Sequence, residues 1–171
     1  MDATDDAAVV AAAGRGDKAA FALLYRRWRP LVFGVAFRIT GDADVAEDVV
    51  QETFLQVHGA LAAWRPEARL STWIYRIAVN EAIDERRRSR RRPSPLGDLP
   101  APAPADRAVA DRIAEAVASL PVREKAVFVL RHYENLPLAE VAEVLGIALG
   151  TVKATLHHAL TKLADRLKDL R

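Results

Sequence analysis

Residues 93–106 read PSPLGDLPAPAPAD, and the five prolines in that stretch fix φ and remove backbone donors so often that neither an interior helix nor a central strand can pass through it. The 171-residue chain is thereby divided into two parts, each long enough to bury a core of its own. The expected organisation is a module over 1–92, a Pro/Ala-rich flexible linker over 93–106 and a second module over 107–171. In extended polyproline geometry the linker spans on the order of 40 Å, at about 3.1 Å per residue. Such a tether permits modules that sit apart and modules that pack together.

Hydrophobic residues make up 51% of the chain and aromatics only 6%, a balance carried by alanine, valine and leucine that favours an all-α fold. There is no cysteine, which excludes disulfides, thiolate metal sites and thiol chemistry. The sequence begins MDATDD, acidic where a signal peptide is basic, and no apolar run approaches the roughly 18 residues of a membrane span. A cytoplasmic protein without membrane insertion is expected. Net charge is +2, but it is unevenly placed: −3 over residues 1–63, +5 over 64–92 and zero over 93–171. A local basic segment of this kind is the footprint of a nucleic-acid site.

In the first module, Asp17 can cap a helix that runs to Thr40 and stops at Gly41, with Phe21, Leu24, Tyr25, Trp28, Leu31, Val32 and Val35 as its buried stripe. Asp42 can cap a second helix buried through Ala46, Val49, Val50, Phe54, Val57 and Leu61. Its other side carries Asp44, Glu47, Asp48, Gln51 and Glu52, which is either a solvated surface or a docking face for a basic partner. Residues 64–71, WRPEARLS, read as a loop broken at Pro66, with Ser71 or Thr72 capping a third helix whose Trp73, Ile74, Ile77 and Ala78 face inward. Arg76, Asn80 and Arg87 share the opposite side. That helix runs into Arg86, Arg87, Arg88, Arg90, Arg91 and Arg92, a like-charge block that calls for an anion such as phosphate.

The second module holds four helical segments. Residues 107–119 carry Val109, Ile113 and Val117, and residues 122–133 start behind Pro121. The stretch LPLAEVAEVLG (136–146) ends in a glycine stop, and a longer helix follows over 147–167, the spacing of a helix-turn-helix.

Four stretches together, DADVAEDVVQETFLQV (42–57), WRPEARLSTWIYRIAVNEAIDERRR (64–88), LPVREKAVFVLRHYENLPLAEVAEVLG (120–146) and GTVKATLHHAL (150–160), resemble the two modules of extracytoplasmic-function (ECF) sigma factors, in order and around a linker. The resemblance implies a transcription initiation factor that binds core RNA polymerase and promoter DNA, catalyses nothing and needs no cofactor or metal. It implies that Asp48, Gln51 and Glu52 dock on the β′ clamp coiled coil. It also implies that the segment carrying Trp64, Arg65, Arg69 and Ser71 captures a base flipped from the non-template strand of the minus-ten element. Arg76, Asn80, Arg86, Arg87 and Arg88 would then line the same strand and the adjoining duplex. Opening a duplex costs a few kcal/mol of unstacking, which a base pocket and backbone-holding arginines can offset without catalytic side chains. Trp64 and Trp73 border apolar stripes and read as core anchors more than as stacking platforms.

The resemblance assigns the minus-thirty-five duplex to Gly150, Thr151, Lys153, Thr155, His157 and His158. Lys153 keeps the family's basic position, but Ala154, Thr155 and His158 depart from its GTVKSRLxRA pattern, and Ala148 stands where a serine cap is usual. Weak or unusual upstream recognition is the consequence. His157 and His158 lie about 100° apart on a helix and do not form a metal pair. The family also implies an anti-sigma factor as a partner, and the competing reading is a sigma-like adaptor that binds such a factor without initiating transcription. An enzyme finds no phosphate loop, metal-spaced cluster or nucleophile motif, and a dimeric repressor finds no coiled-coil seam.

Overall fold

The computed structural model describes residues 3–65, 69–89 and 105–168. Residues 66–68 of the loop, Arg90, Arg91 and Arg92, and the linker up to residue 104 lie outside the described residues. Every regular element described is helical. In order these are α1 (Ala3–Gly14), α2 (Lys18–Thr40), α3 (Ala43–Ala60) with a 3₁₀ turn at Leu61–Ala63, α4 (Leu70–Ser89), α5 (Ala105–Ala118), α6 (Val122–Phe128) widening into a π-turn at Val129–Tyr133, α7 (Leu138–Leu145) and α8 (Leu149–Arg166).

The caps read from the sequence explain where α2 and α3 begin. Asp17 Oδ1 accepts from the amides of Ala19 (2.8 Å) and Ala20 (3.1 Å), and Asp42 Oδ1 accepts from those of Asp44 (2.9 Å) and Val45 (3.1 Å). Each cap is worth about 1 kcal/mol. Gly41 ends α2 at φ 76°, a left-handed conformation that glycine adopts without a Cβ penalty. The third cap differs from expectation. Helix α4 already starts at Leu70, and the amide of Trp73 bonds to the carbonyl of Arg69, so Ser71 and Thr72 lie in its first turn. Thr72 spends its hydroxyl on a distant glutamate instead of on its own helix end.

Leu24, Trp28 and Val32 of α2, Val50, Phe54 and Val57 of α3, and Ile74 and Ala78 of α4 close a bundle onto which α1 adds Val10 and Ala13. A second core crosses between modules: Val35, Ile39, Val49, Tyr75, Val79 and Ile83 pack with Val127, Leu130, Val141, Val144 and Val152. Helix α4 is therefore buried on two faces, and α7 lies against it. A smaller cluster of Ala116, Val117, Leu120, Ala159 and Leu163 holds α5 to α8. Only the C-terminal part of α5 takes part. Val109 and Ile113, expected in an apolar stripe, remain 44% and 40% exposed.

Buried Lys125 supports the joint between α5 and α6, donating from Nζ to the carbonyl of Ala118 at 2.6 Å. Gly146 turns the chain between α7 and α8 at φ 63°. The π-turn replaces the regular end expected for residues 122–133. Its wider bond from the amide of Glu134 to the carbonyl of Val129 brings Tyr133 and Glu134 against the first module.

Candidate nucleic-acid and polymerase surfaces

On α3, Asp44, Asp48, Gln51 and Glu52 are exposed, while Glu47 pairs with Arg29 of α2 at 2.6 Å. The strip does not end with α3. Gln56 Nε2 donates to Glu52 at 3.2 Å and to Glu81 of α4 at 3.1 Å. Arg88 reaches back along α4 to Glu81 (3.0 Å) and Glu85 (2.7 Å). Asp48, Glu52, Glu81, Glu85 and Arg88 thus line one shallow depression of about 340 Å³.

On the other side of α4, Arg76, Asn80 and Arg87 are exposed together, as their spacing predicts. Trp64 is half-buried, and its indole nitrogen finds no acceptor among the described residues. Arg65 folds back over the carbonyls of Ala62, Ala63 and Trp64. Arg87 lies 3.6 Å from Asp84 of its own helix. Arg86 is half-buried and engaged within the protein.

The second module covers part of this face. Thr72 Oγ1 donates to Glu140 at 2.9 Å, with Arg69 3.5 Å from the same carboxylate. The Arg76 guanidinium donates to the carbonyl of Glu143 at 2.7 Å. Tyr75 donates its phenol proton to Glu134 at 2.8 Å; burial, and after it that hydrogen bond, push the phenol far above its ordinary range, so it stays neutral. Arg38 joins the cluster 3.6 Å from Glu134 and over the ring of Tyr133. Sequence reasoning singles out none of Thr72, Tyr75, Glu134, Glu140 or Glu143 as part of a site. Glu140 meets α4 and its approach through its carboxylate but Glu143 only through its main-chain carbonyl, so no side-chain spacing marks the pair.

In α8, Gly150, Thr151, Lys153, His157 and His158 are exposed and Thr155 is half-buried. Ala148 sits at the N-cap without a side-chain bond, as its identity requires. The rings of His157 and His158 are 6.2 Å apart, and among the described residues no three His, Cys, Asp or Glu side chains are grouped to hold a metal. Thr151 and Thr155 face Asn80, Asp84 and Arg87 across a cleft of about 360 Å³.

Residues 24–92 match the model of sigma-70 region 2, and residues 110–163 match that of sigma-70 region 4. The ECF RNA polymerase sigma factor SigL of Mycobacterium tuberculosis is 36% identical, over 94% of this chain and 96% of its own. The chain belongs to the ECF sigma factor family. The family is non-enzymatic, and this sigma factor directs promoter recognition by RNA polymerase and the initiation of transcription.

Solved relatives share the fold. The structure of CnrH in complex with the cytosolic domain of CnrY superposes with a TM-score of 0.75 at 26% identity, covering 98% of this chain and 99% of that one. The sigma factor RpoE in complex with the anti-sigma factor NepR from Bartonella quintana gives 0.64 at 21% identity, covering 83% and 92%. Among the described residues, no helix of the sigma factor is long and apolar enough to cross a membrane.

Proposed function

We propose that this sigma factor works in the cytoplasm through two modules, 1–92 and 107–171, tethered by residues 93–106. Asp48, Gln51 and Glu52 dock on the β′ clamp coiled coil. The segment from Trp64 to Ser71 takes the flipped minus-ten base, while Arg76, Asn80, Arg86, Arg87 and Arg88 hold the separated strand and adjoining duplex. Gly150, Thr151, Lys153, Thr155, His157 and His158 face the minus-thirty-five duplex. One observation supports the reading: the carboxylate strip of α3 stands beside a helix whose other side carries the exposed Arg76, Asn80 and Arg87, which the second module only partly covers. An anti-sigma factor is the expected silencing partner, supported by the fold shared with the RpoE–NepR complex.

The packed arrangement is a resting form. The two promoter elements lie about 25 base pairs apart, roughly 85 Å along B-DNA, whereas α4 and α8 here border a single cleft. Promoter contact therefore requires the modules to separate. Run-off transcription with purified core polymerase tests the assignment: specific initiation is expected, and binding of an anti-sigma factor without initiation would give the adaptor reading instead.

A further inference from the structure

We infer that Arg88 is a charge-coupling residue: in the free protein it neutralises the α4 carboxylates that border the polymerase-docking strip, and it passes to DNA phosphate when polymerase occupies that strip. The inference rests on the docking role proposed above for Asp48 and Glu52. Arg88 belongs by sequence to the arginine run, yet its guanidinium points away from that role. It contacts Glu81 at 3.0 Å and Glu85 at 2.7 Å, and it lines the same depression as Asp48 and Glu52. Gln56 ties Glu52 to Glu81, so carboxylates of α3 and α4 form one hydrogen-bonded unit with a cation of the chain's own at its end.

Arg88 is 59% exposed in these pairs, and an exposed ion pair of this kind is readily exchanged. Arg88 holds Glu81 and Glu85 rather than Asp48 or Glu52, but Gln56 bridges Glu52 to Glu81 in the same depression. A basic partner brought to Asp48 and Glu52 therefore repels the guanidinium beside it and draws on the same hydrogen-bonded carboxylates. Arg88 points about 100° round α4 from Arg87, so once displaced its long side chain has to swing toward the side of the helix proposed to hold the strand. Docking and DNA grip are thus linked, and linkage of binding is reciprocal.

The test uses the full chain and core polymerase with wild type, Arg88→Gln and Arg88→Lys. Without Arg88's charge the docking strip is more negative. Arg88→Gln is expected to bind core about two- to five-fold more tightly at low salt, the range an exposed pair supports, with the difference shrinking as salt screens it. The Arg88→Gln holoenzyme is expected to grip one phosphate fewer, lowering the salt slope of promoter binding by roughly 0.7 on a single strand or 0.9 on duplex. Arg88→Lys keeps the charge and stays near wild type in both readouts. Unchanged or weaker core binding by Arg88→Gln, or an unchanged salt slope, overturns the inference. Failure of the wild type itself to bind core overturns the docking assignment instead.

Discussion

Removing Glu134 and Glu140 should open the molecule without touching any residue assigned to DNA. Each carboxylate of the second module accepts a hydroxyl proton from α4: Tyr75 gives to Glu134 at 2.8 Å and Thr72 to Glu140 at 2.9 Å. Glu134 and Glu140 side chains are only 13% and 12% exposed, so these bonds are largely shielded from water. A hydrogen bond to a charged group contributes roughly 1.5–3 kcal/mol. Water rehydrates all four groups once the modules part, so about 1–2 kcal/mol for each is a fair discount. The flanking Arg69 pair, 78% exposed on the arginine side, adds little. Together Glu134→Ala and Glu140→Ala remove about 2–4 kcal/mol from the closed form, a shift of roughly 30- to 1,000-fold at 1.4 kcal/mol per decade. The cysteine-free sequence suits the assay. Single cysteines at exposed Ala19 of α2 and Ala164 of α8 can carry a dye pair. Energy transfer should fall in the double variant, and a fluorescent oligonucleotide of the minus-ten non-template strand should bind the free chain more tightly. A double variant that keeps its helicity but shows unchanged transfer and unchanged oligonucleotide affinity would refute the idea that this polar latch governs closure.

Other outcomes are expected of the same surfaces. Asp48→Asn with Glu52→Gln should weaken binding to core polymerase by at least about ten-fold in a titration at low salt, with less effect at high salt; equal affinity would remove these residues from the docking face. Thr155→Arg with His158→Arg should strengthen binding to minus-thirty-five duplex and steepen its salt dependence by roughly 0.9 for each phosphate newly neutralised, read from footprints across a salt series. Ala148→Ser supplies the missing cap of α8 and should raise stability by about 1 kcal/mol, or roughly 2–4 °C in a melting curve. For Tyr75 the folded pKa lies above the unfolded value of about 10. Its contribution is therefore complete below pH 10 and is lost as pH rises beyond it. Unfolding titrations should show a steeper alkaline decline for wild type than for Tyr75→Phe, and parallel curves would contradict this.

The parts of the fold legible in the sequence are those with strong local chemistry. Asp17, Asp42, Gly41 and Gly146 each act through their own neighbours, so helix starts and stops at these positions can be read directly. Helix α1 carries no such signal: beyond Asp6, ATDDAAVVAAAG is alanine and valine up to its final glycine and offers no clear polar face, and only packing against α2 and the 3₁₀ turn singles out Val10 and Ala13. In α4 almost every position from Trp73 to Ile83 outside the charged side is apolar. Periodicity alone selects Ile74 and Ala78 but cannot show that Tyr75, Val79, Ala82 and Ile83 serve a second neighbour. The exposed candidate residues follow from helical spacing. What they touch does not, because Arg69 to Glu140, Arg76 to Glu143 and Arg88 to Glu81 depend on tertiary packing or rotamer choice.

These contacts give the closed form a physical meaning beyond compactness. Glu134 and Glu140, with the carbonyl of Glu143, offer α4 and its approach the same chemistry as a nucleic-acid strand: anionic or strongly polar oxygens that accept from guanidinium and hydroxyl donors. Under the proposed assignment, helix α7 and the separated strand compete for one face, and a ligand that binds only the open form shifts the balance by its differential affinity. Docking on polymerase brings promoter DNA close at high effective concentration, which favours the strand in that competition. In the chain alone α7 packs on α4, a contact that is intramolecular and needs no second molecule. The weak duplex grip expected of α8, with Thr155 and His158 at positions where arginines would add charge, fits the proposed balance, since a second module that grips duplex less firmly is less readily drawn away from α4 by stray DNA.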